Sequence, residues 1–234
     1  MSEVVTIVLA AGRGARLGGP KALLAWPAAM LPPKAPAPGK AGGAGKKSVK
    51  TGPQDIPLAI AHAEQRLAAE SARVLIVSRR TVINELLQYV RPGIDLLSST
   101  AADDLGPAGS LQFAASRIGP TDLVLVTPVD TPPTKPETVA ALLRRLGEGD
   151  PAPLAVRPRY QGRAGHPVIL RSEALARYRS TDPPPPLRDH LKDLGAGVID
   201  VDVADPTVLL DLDTAAEVMK VLGTMPRFMG TPKM

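Results

Sequence analysis

The stretch that decides the fold, residues 4–21, reads VVTIVLAAGRGARLGGPK. Its first part, Val4–Leu9, is apolar and rich in β-branched residues with no polar alternation, which is typical of a buried strand in a parallel sheet. The part that follows is rich in glycine, which lets a backbone approach a ligand closely and turn its N–H groups toward it. Arg13, Arg16 and Lys21 add positive charge. The stretch therefore predicts a buried strand that ends in a polyphosphate-binding loop.

Composition excludes several classes of protein. The chain has 234 residues, enough for one α/β domain, and it has no cysteine, so disulfides and thiolate metal sites are excluded. The absence of cysteine favours a reducing, cytoplasmic compartment. No signal peptide and no apolar stretch of membrane-spanning length is found in the sequence, so we expect no membrane association.

The net charge of +5 has a local origin. Five lysines (Lys34, Lys40, Lys46, Lys47 and Lys50) lie in one segment without acids, and the rest of the chain is formally neutral. Aromatic residues, which stack on bases, make up only 3% of the chain, so we expect no nucleic-acid partner.

That lysine-rich segment divides the predicted domain. Residues 28–54 are mainly Pro, Gly, Ala and Lys and cannot bury enough apolar surface to offset their ordering entropy, so we predict a disordered insertion. A single domain is predicted to span residues 1–222, interrupted by this insertion and followed by a frayed C-terminal tail, residues 223–234.

Strand and helix patterns alternate along the remaining chain. This alternation predicts a single α/β, Rossmann-like domain with a mostly parallel central sheet and helices on both faces. We predict strands at residues 4–9, 73–78, 94–97, 123–126, 154–156, 167–170, 198–203 and 208–212, and helices starting at Leu58 and Thr214 and spanning residues 82–90, 109–118, 136–146 and 187–194.

Aspartates follow two of the predicted strands. Asp130 lies just past residues 123–126, the clearest strand, where open α/β sheets place their ligands. Asp211 and Asp213 follow residues 208–212 and precede the last helix. Together with a cationic phosphate loop, carboxylates from two strand ends are what a Mg²⁺–nucleotide site requires.

Of the other interpretations of these residues, a Walker-type loop fails, whereas a dinucleotide-binding loop and a plain turn remain open. A dinucleotide-binding loop needs an acidic residue about 20 positions later, where this chain has the lysine-rich segment. A Walker-type loop needs Gly-Lys-Ser/Thr, and Ala22 follows Lys21 here. The glycines could form a plain turn with surface arginines, Asp130 a turn or helix cap, and Asp213 or Thr214 an N-cap.

Several stretches of this sequence resemble the motifs of a known family. Residues 9–21 are similar to the Leu-Ala-Ala/Gly-Gly-x-x-x-Arg-x-Gly-x-x-Lys motif of the nucleotidyltransferases related to the molybdenum cofactor cytidylyl- and guanylyltransferases, the MobA-like NTP transferases. Asp130 resembles the family's strand-end aspartate, and residues 211–214 resemble its Asp-x-Asp-Thr element. Residues 109–111 and 165–168 resemble its Gly-x-Ser-Leu turn and Gly-His-Pro segment.

The resemblance implies a GT-A-type domain that transfers NMP from an NTP to a phosphorylated acceptor and releases pyrophosphate. Ala11 and Gly12, in Leu-Ala-Ala-Gly, favour CTP, and molybdopterin is the leading acceptor. Transient contact with an enzyme that receives the finished cofactor is also implied. The implied roles are catalytic for Arg16, Lys21 and Asp130; nucleotide-binding for Leu9, Ala10, Ala11, Gly12, Arg13, Gly14, Lys21, Gly109 and Ser110; Mg²⁺-binding for Asp130, Asp211 and Asp213; and acceptor-binding for His166.

Two departures from the family pattern leave the acceptor open. The lysine-rich segment interrupts the run from the loop into the next helix, and residues 183–189 replace the Gly-Asp-x-Gly-Ala-Arg segment of the cytidylyl branch. His166 could equally be a structural turn residue beside Pro167. A sugar-1-phosphate nucleotidyltransferase and a non-catalytic nucleotide-binding module remain the alternatives.

We predict that deletion of residues 32–52 leaves folding intact, because the segment contains almost no large apolar side chain that could join a core. The thermal midpoint of the deletion variant is expected to match that of the full chain. A drop of many degrees on deletion would show that the segment packs against the domain.

Overall fold

In the computed structural model, residues 3–31, 54–119, 123–149 and 151–230 are described. Most of the predicted insertion, residues 32–53, therefore lies outside the described residues. The described strands are β1 (Val4–Leu9), β2 (Ala25–Trp26), β3 (Ile56–Pro57), β4 (Ser71–Ser78), β5 (Ile94–Ser98), β6 (Leu123–Pro128), β7 (Ala155–Tyr160), β8 (Arg163–Ala164), β9 (Val168–Arg171) and β10 (Val198–Asp202). The described α-helices are α1 (Leu58–Ala69), α2 (Arg80–Leu86), α3 (Ala101–Ala115), α4 (Pro136–Gly147), α5 (Ala176–Ser180), α6 (Leu187–Asp193) and α7 (Ala215–Leu222).

The strands form one large, mostly parallel sheet with the order β10-β7-β9-β6-β1-β4-β5, and β8 pairs with β7. β1 pairs in parallel with both β4 and β6, and β4 pairs in parallel with β5. Within this sheet, as far as the residues are described, only β9 and the short β8 run against their neighbours. β2 and β3 form a separate two-stranded antiparallel sheet. The predicted α/β fold with a mostly parallel sheet is confirmed.

β1 is the central strand, and both of its faces are covered. Successive residues such as Ile7 and Val8 are fully buried, and they belong to core clusters on opposite faces of the sheet. The continuous apolar sequence of β1 follows from this double burial. The chain leaves β1 toward β4 on one side and returns to β6 on the other, so a crevice opens between the carboxyl ends of β1 and β6.

Helices cover both faces of the sheet. Residues of α1, α2 and α7 pack on one face, and residues of α3, α5 and α6 pack on the other. α4 packs against β6, β7 and β9 in a third cluster. Among the described residues, no helix has the length and apolar character needed to cross a lipid bilayer.

Three predicted elements differ from the structure. The predicted strand at residues 208–212 is wrong, because residues Pro206–Leu209 form a 3₁₀ turn that starts on a proline and is capped by Asp205. The predicted helix at 109–118 belongs to α3, which is interrupted at Gly106. α2 ends at Leu86 and continues as a 3₁₀ turn to Tyr89.

The prediction of a frayed tail is wrong for residues 224–230, which we call the C-terminal segment. Met229 donates its backbone N–H to Leu23 O at 2.7 Å, and Arg227 O accepts the N–H of Ala25 at 2.7 Å. The ring of Phe228 packs against Gly19, where an added Cβ would lie 3.0 Å from it. The segment therefore covers the end of the glycine loop, whereas residues 231–234 lie outside the described part.

We expect Phe228→Ala to lower the free energy of unfolding by about 1–2 kcal/mol, since it removes a partly buried ring from the glycine loop. Met225→Ala is the control, because Met225 is 61% exposed. Urea unfolding of both variants measures the difference. Equal stability of the two variants would contradict the contact.

Candidate active site

Gly14 gives the glycine loop its shape. Its φ is +62°, and a Cβ at this position would lie 1.8 Å from Gly19 O, so no other residue fits. The carbonyl oxygen of Gly14 accepts the N–H groups of Leu17, Gly18 and Gly19 at 3.0 to 3.2 Å. The chain thus folds back on Gly14 and returns toward Lys21.

Hydrogen bonds from β4 and the residue after it fix the root of the loop. Ala10 donates its N–H to Val77 O at 2.8 Å, and its own carbonyl accepts the Ser78 hydroxyl at 2.7 Å. Arg79 Nε donates to Ala11 O at 2.7 Å. Within the described part of the chain, the N–H of Gly12 donates to no backbone carbonyl. The loop is therefore held at its base while this amide is available to a ligand.

Backbone hydrogen bonds also join the three segments predicted to form the site. Val129 N–H, just after β6, donates to Leu9 O at the end of β1 at 3.1 Å. Leu212 N–H donates to Asp130 O at 2.6 Å. The segments that carry Asp130 and Asp213 are thereby attached to the root of the glycine loop.

The ammonium of Lys21 lies between two carboxylates. Lys21 Nζ donates to Asp130 Oδ2 at 3.1 Å and makes a second, short hydrogen bond to Asp213 Oδ1. Arg16 Nη1 lies 3.7 Å from Asp213 Oδ2. Burial on its own would lower the pKa of Lys21, but the hydrogen bonds and charges of Asp213 and Asp130 outweigh it, so its pKa is raised. The Lys21 hydrogen bond lowers the pKa of Asp213.

The start of α7 positions Asp213. Thr214 Oγ1 accepts the Glu217 N–H at 3.3 Å while Glu217 Oε2 accepts the Thr214 N–H at 2.8 Å, which is a capping box. Glu217 Oε2 also accepts the Asp213 N–H at 3.0 Å. Thr214 is therefore the N-cap, and the Asp213 carboxylate is left to pair with Lys21.

Asp211 stands apart from this ion pair. Burial, Asp130 and Asp213 raise its pKa, so it lies in the negative field of the other two carboxylates. Asp211 does not line the cleft beside them. Among the described residues, no three acidic or histidine side chains are grouped as a metal site, and the structure brings only Asp130 and Asp213 onto a common cation.

These groups line one cleft of about 310 Å³. The predicted site residues in its wall are Leu9, Ala11, Gly12, Gly14, Arg16, Lys21, Ser110, Asp130 and Asp213. The predicted residues outside its wall are Ala10, Arg13, Gly109, Asp211 and His166.

α3 supplies the wall opposite the glycine loop. Its helical path breaks at Gly106, with φ 58° and ψ −146°, and resumes at Pro107. Gly106 and Pro107 line the cleft together with Ser110, whose buried hydroxyl has no hydrogen-bond partner in the described residues. The Ser110 hydroxyl is available to a ligand in the cleft.

His166 lies beside the cleft, on the β7 side of Asp130. Burial lowers its pKa, while the charge of Asp130 opposes this effect and that of Arg157 adds to it. Its Nδ1 is buried without a partner among the described residues. The backbone around it is closely packed, because a Cβ on Gly165 would lie 2.2 Å from Val208 O.

Sequence reasoning missed three polar side chains that shape the site. Arg79, whose Nε donates to Ala11 O, also lines the cleft. His62 and Arg66 of α1 are buried and hold the loop after Asp130: His62 Nε2 donates to Thr131 O at 2.9 Å, and Arg66 Nη2 donates to Thr134 O. Burial and Arg66 lower the pKa of His62 to about 4, so its ring is neutral. Nothing in the sequence indicated these two side chains' roles, because their partners, Thr131 and Thr134, lie 69 and 68 residues further along the chain.

The match to a family model identifies the chain's relatives. The model of the MobA-like NTP transferase domain matches residues 39–197, more than half of the chain. The chain belongs to this family. It is therefore a nucleotidyltransferase, as the sequence predicted. The matched range of the MobA-like domain contains Asp130, Ser110 and His166, whereas the glycine loop and Asp213 lie outside it.

Solved structures agree with the MobA-like assignment at the level of the fold. Rv0371c from Mycobacterium tuberculosis H37Rv is 20% identical, with a TM-score of 0.63 over 95% of this chain and 99% of that one. A complex of Rv0371c with manganese is 18% identical, with a TM-score of 0.63 over 96% and 100%. The Francisella tularensis 2-C-methyl-D-erythritol 4-phosphate cytidylyltransferase is 13% identical, with a TM-score of 0.61 over 94% and 98%. A search of curated proteins gave no sequence match.

We expect the buried, neutral His62 to make stability pH-dependent. An unfolded histidine titrates near pH 6.5, so between about pH 6.5 and 4 the unfolded chain binds the extra proton and the folded state loses up to about 3 kcal/mol as the pH falls. His62→Gln keeps an amide donor for Thr131 O but does not titrate.

Chemical unfolding of wild type and His62→Gln between pH 7.5 and 4 tests this expectation. The variant should lose less free energy of unfolding than wild type across that range. Parallel pH profiles would show that His62 is not the group responsible.

Proposed function

We propose that this nucleotidyltransferase transfers NMP, with CMP favoured, from an NTP to a phosphorylated acceptor, with molybdopterin as the leading candidate. An oxygen of the acceptor phosphate attacks the α-phosphorus, the bond from that phosphorus to the β-phosphate oxygen breaks, and pyrophosphate leaves. The observation that carries the proposal is the Lys21 ammonium held between Asp130 and Asp213 at the cleft of the glycine loop.

The glycine loop is suited to the triphosphate. The Gly12 amide faces no backbone acceptor in the described residues, and Arg16, Lys21 and Arg79 bring positive charge to the same cleft. Amides and cations that are already in place stabilise charge on the α-phosphate and on the departing pyrophosphate without reorganisation. Lys21 keeps its proton, because its pKa is raised.

Asp130 and Asp213 are proposed to bind the divalent cation. Two carboxylates that converge on one ammonium also offer the oxygen ligands that Mg²⁺ takes alongside phosphate and water. A cation bound there would neutralise phosphate charge during transfer. The reported manganese complex of Rv0371c is in keeping with a divalent cation in this fold. Asp211, outside the cleft wall, would strengthen the negative field that attracts the cation.

The proposed reaction does not require a protein base, because a phosphate oxygen of the acceptor is already anionic. The role of the site is to position the acceptor and to neutralise charge. On the side of Asp130 that faces β7, the buried and unpartnered Nδ1 of His166 would bind the acceptor. The Ser110 hydroxyl would bind the nucleoside.

A sugar-1-phosphate nucleotidyltransferase is the second candidate, since residues 183–189 replace the acceptor-side segment of the cytidylyl branch. The nucleotide half of the site would be the same in both enzymes. Pyrophosphate release from CTP, GTP and UTP, each with molybdopterin or with sugar 1-phosphates, distinguishes the two.

We predict that Lys21→Ala and Asp130→Ala each lower kcat/KM by at least about a hundredfold, roughly the loss of one preorganised electrostatic contact. Lys220→Ala on α7 removes an exposed lysine away from the cleft and serves as the control. Pyrophosphate release with excess Mg²⁺ measures the effect. Undiminished turnover in either site variant rules the proposed roles out.

A further inference from the structure

A second cleft, beside β7, is lined by several positively charged side chains. We call it the basic cleft; its volume is about 640 Å³. Its charged lining comprises four cations and two carboxylates: Arg157, Arg159, Arg188, Lys192, Asp189 and Asp200. The lining therefore has a net positive charge.

The cations of the basic cleft come from two elements that face each other. Arg157 and Arg159 alternate along β7, so both side chains project from the same face of the sheet as the buried Ala155. Arg188 and Lys192 are four residues apart on α6, which packs on that face through Leu191. The strand and the helix thus direct four cationic side chains into one space.

The strand cations are already neutralised, whereas the helix cations are not. Arg157 Nε donates to Asp200 Oδ1 at 2.6 Å, and Arg159 makes two hydrogen bonds of 2.8 Å to Asp202. Within the described part of the chain, Arg188 and Lys192 form no ion pair; the last acid of α6, Asp193, pairs with Arg177. Arg188 and Lys192 are therefore available to an anion from solution.

The basic cleft lies on the acceptor side of the proposed active site. β7 is separated from β6 by β9 alone, about 10 Å at ordinary strand spacing, and its carboxyl end points to the same edge of the sheet. Residues of α3 line the first cleft and residues of α6 line the second, and these two helices pack on the same face of the sheet. The charges of Asp130, in the wall of the first cleft, and Arg157, in the wall of the second, both act on the imidazole of His166.

We propose that the basic cleft binds a second anionic group of the acceptor, apart from the phosphate that attacks the nucleotide, with Arg188 and Lys192 as its ligands. This inference rests on the proposed function and narrows it, because it requires an acceptor with two anionic groups. Guanidinium and ammonium groups bind phosphate and carboxylate oxygens through charge-assisted hydrogen bonds.

The test uses small anions while the nucleotide cleft is filled. With the full chain saturated by CTP and Mg²⁺, inorganic phosphate and, separately, succinate are titrated by calorimetry at fixed ionic strength. Wild type is expected to bind one equivalent of anion, and the double variant Arg188→Ala with Lys192→Ala to bind it at least tenfold more weakly. Tighter binding of phosphate or of succinate identifies the anionic group.

The matched control also removes two exposed cations. Arg144→Ala with Lys220→Ala changes α4 and α7, which pack elsewhere, and should bind the anion as wild type does. Equal affinity in wild type and the Arg188/Lys192 variant, equal weakening in both double variants, or no anion binding by wild type would each overturn the inference. Pyrophosphate release by wild type with CTP and each phosphorylated acceptor is measured in parallel. A failure of the proposed function abolishes that release, whereas a failure of this inference leaves it intact and removes only the difference in anion binding.

Discussion

The site depends on charge compensation around Lys21. A partly buried ammonium is costly unless anions surround it, and here Asp130 and Asp213 provide them from positions 109 and 192 residues further along the chain. Each of the three groups depends on the other two, since two adjacent carboxylates would repel each other without the cation. This ion-pair arrangement suits the proposed substrates. A triphosphate would offer Lys21 new anionic partners, and a divalent cation would offer Asp130 and Asp213 a new cationic partner.

The parallel sheet makes this meeting possible. Carboxyl ends of parallel strands lie at one edge, so the loops after β1 and β6 become neighbours and are joined by the hydrogen bond from Val129 to Leu9. Leu212 attaches the third segment through Asp130 O. His62 and Arg66 of α1 bind the backbone carbonyls of residues after Asp130, so this aspartate and the loop that follows it are both held by polar contacts. A loop anchored in this way supplies the fixed dipoles and charges on which electrostatic catalysis depends.

Positively charged side chains are concentrated in two clefts, one lined in part by α3 and the other by α6. The active-site cleft contains the cations Arg16, Lys21 and Arg79 beside the two aspartates, and the basic cleft contains a second group of cations. Two cationic regions suit anionic substrates that must be brought together against their mutual repulsion. The C-terminal segment supports the glycine loop, because Phe228 packs on Gly19, two residues before Lys21.

Much of the fold followed from local sequence. The apolar, β-branched run of β1 fixes a doubly buried strand, and the alternation of strands and helices fixes the parallel architecture, because these patterns record burial directly. The glycine and lysine pattern of the loop and the aspartates after strands also located most of the cleft wall. The two wrong predictions have different causes. The 3₁₀ turn at Pro206–Leu209 is local, since it starts on a proline and Asp205 caps it, and the apolar composition of the stretch masked it. The order of the tail depends on a distant partner, since Phe228 pairs with Leu24.

What the sequence determined by itself was therefore the longer strands of the large sheet, its mostly parallel arrangement and the chemical types of the site residues, since hydrophobic periodicity and loop composition are local properties. Only the tertiary structure decided that Asp213, and not Asp211, joins Asp130 on Lys21, that His62 and Arg66 brace the loop, and that Arg188 and Lys192 share a cleft with β7. These are contacts between residues far apart in the chain, and their geometry exists only after the strands have taken their order in the sheet.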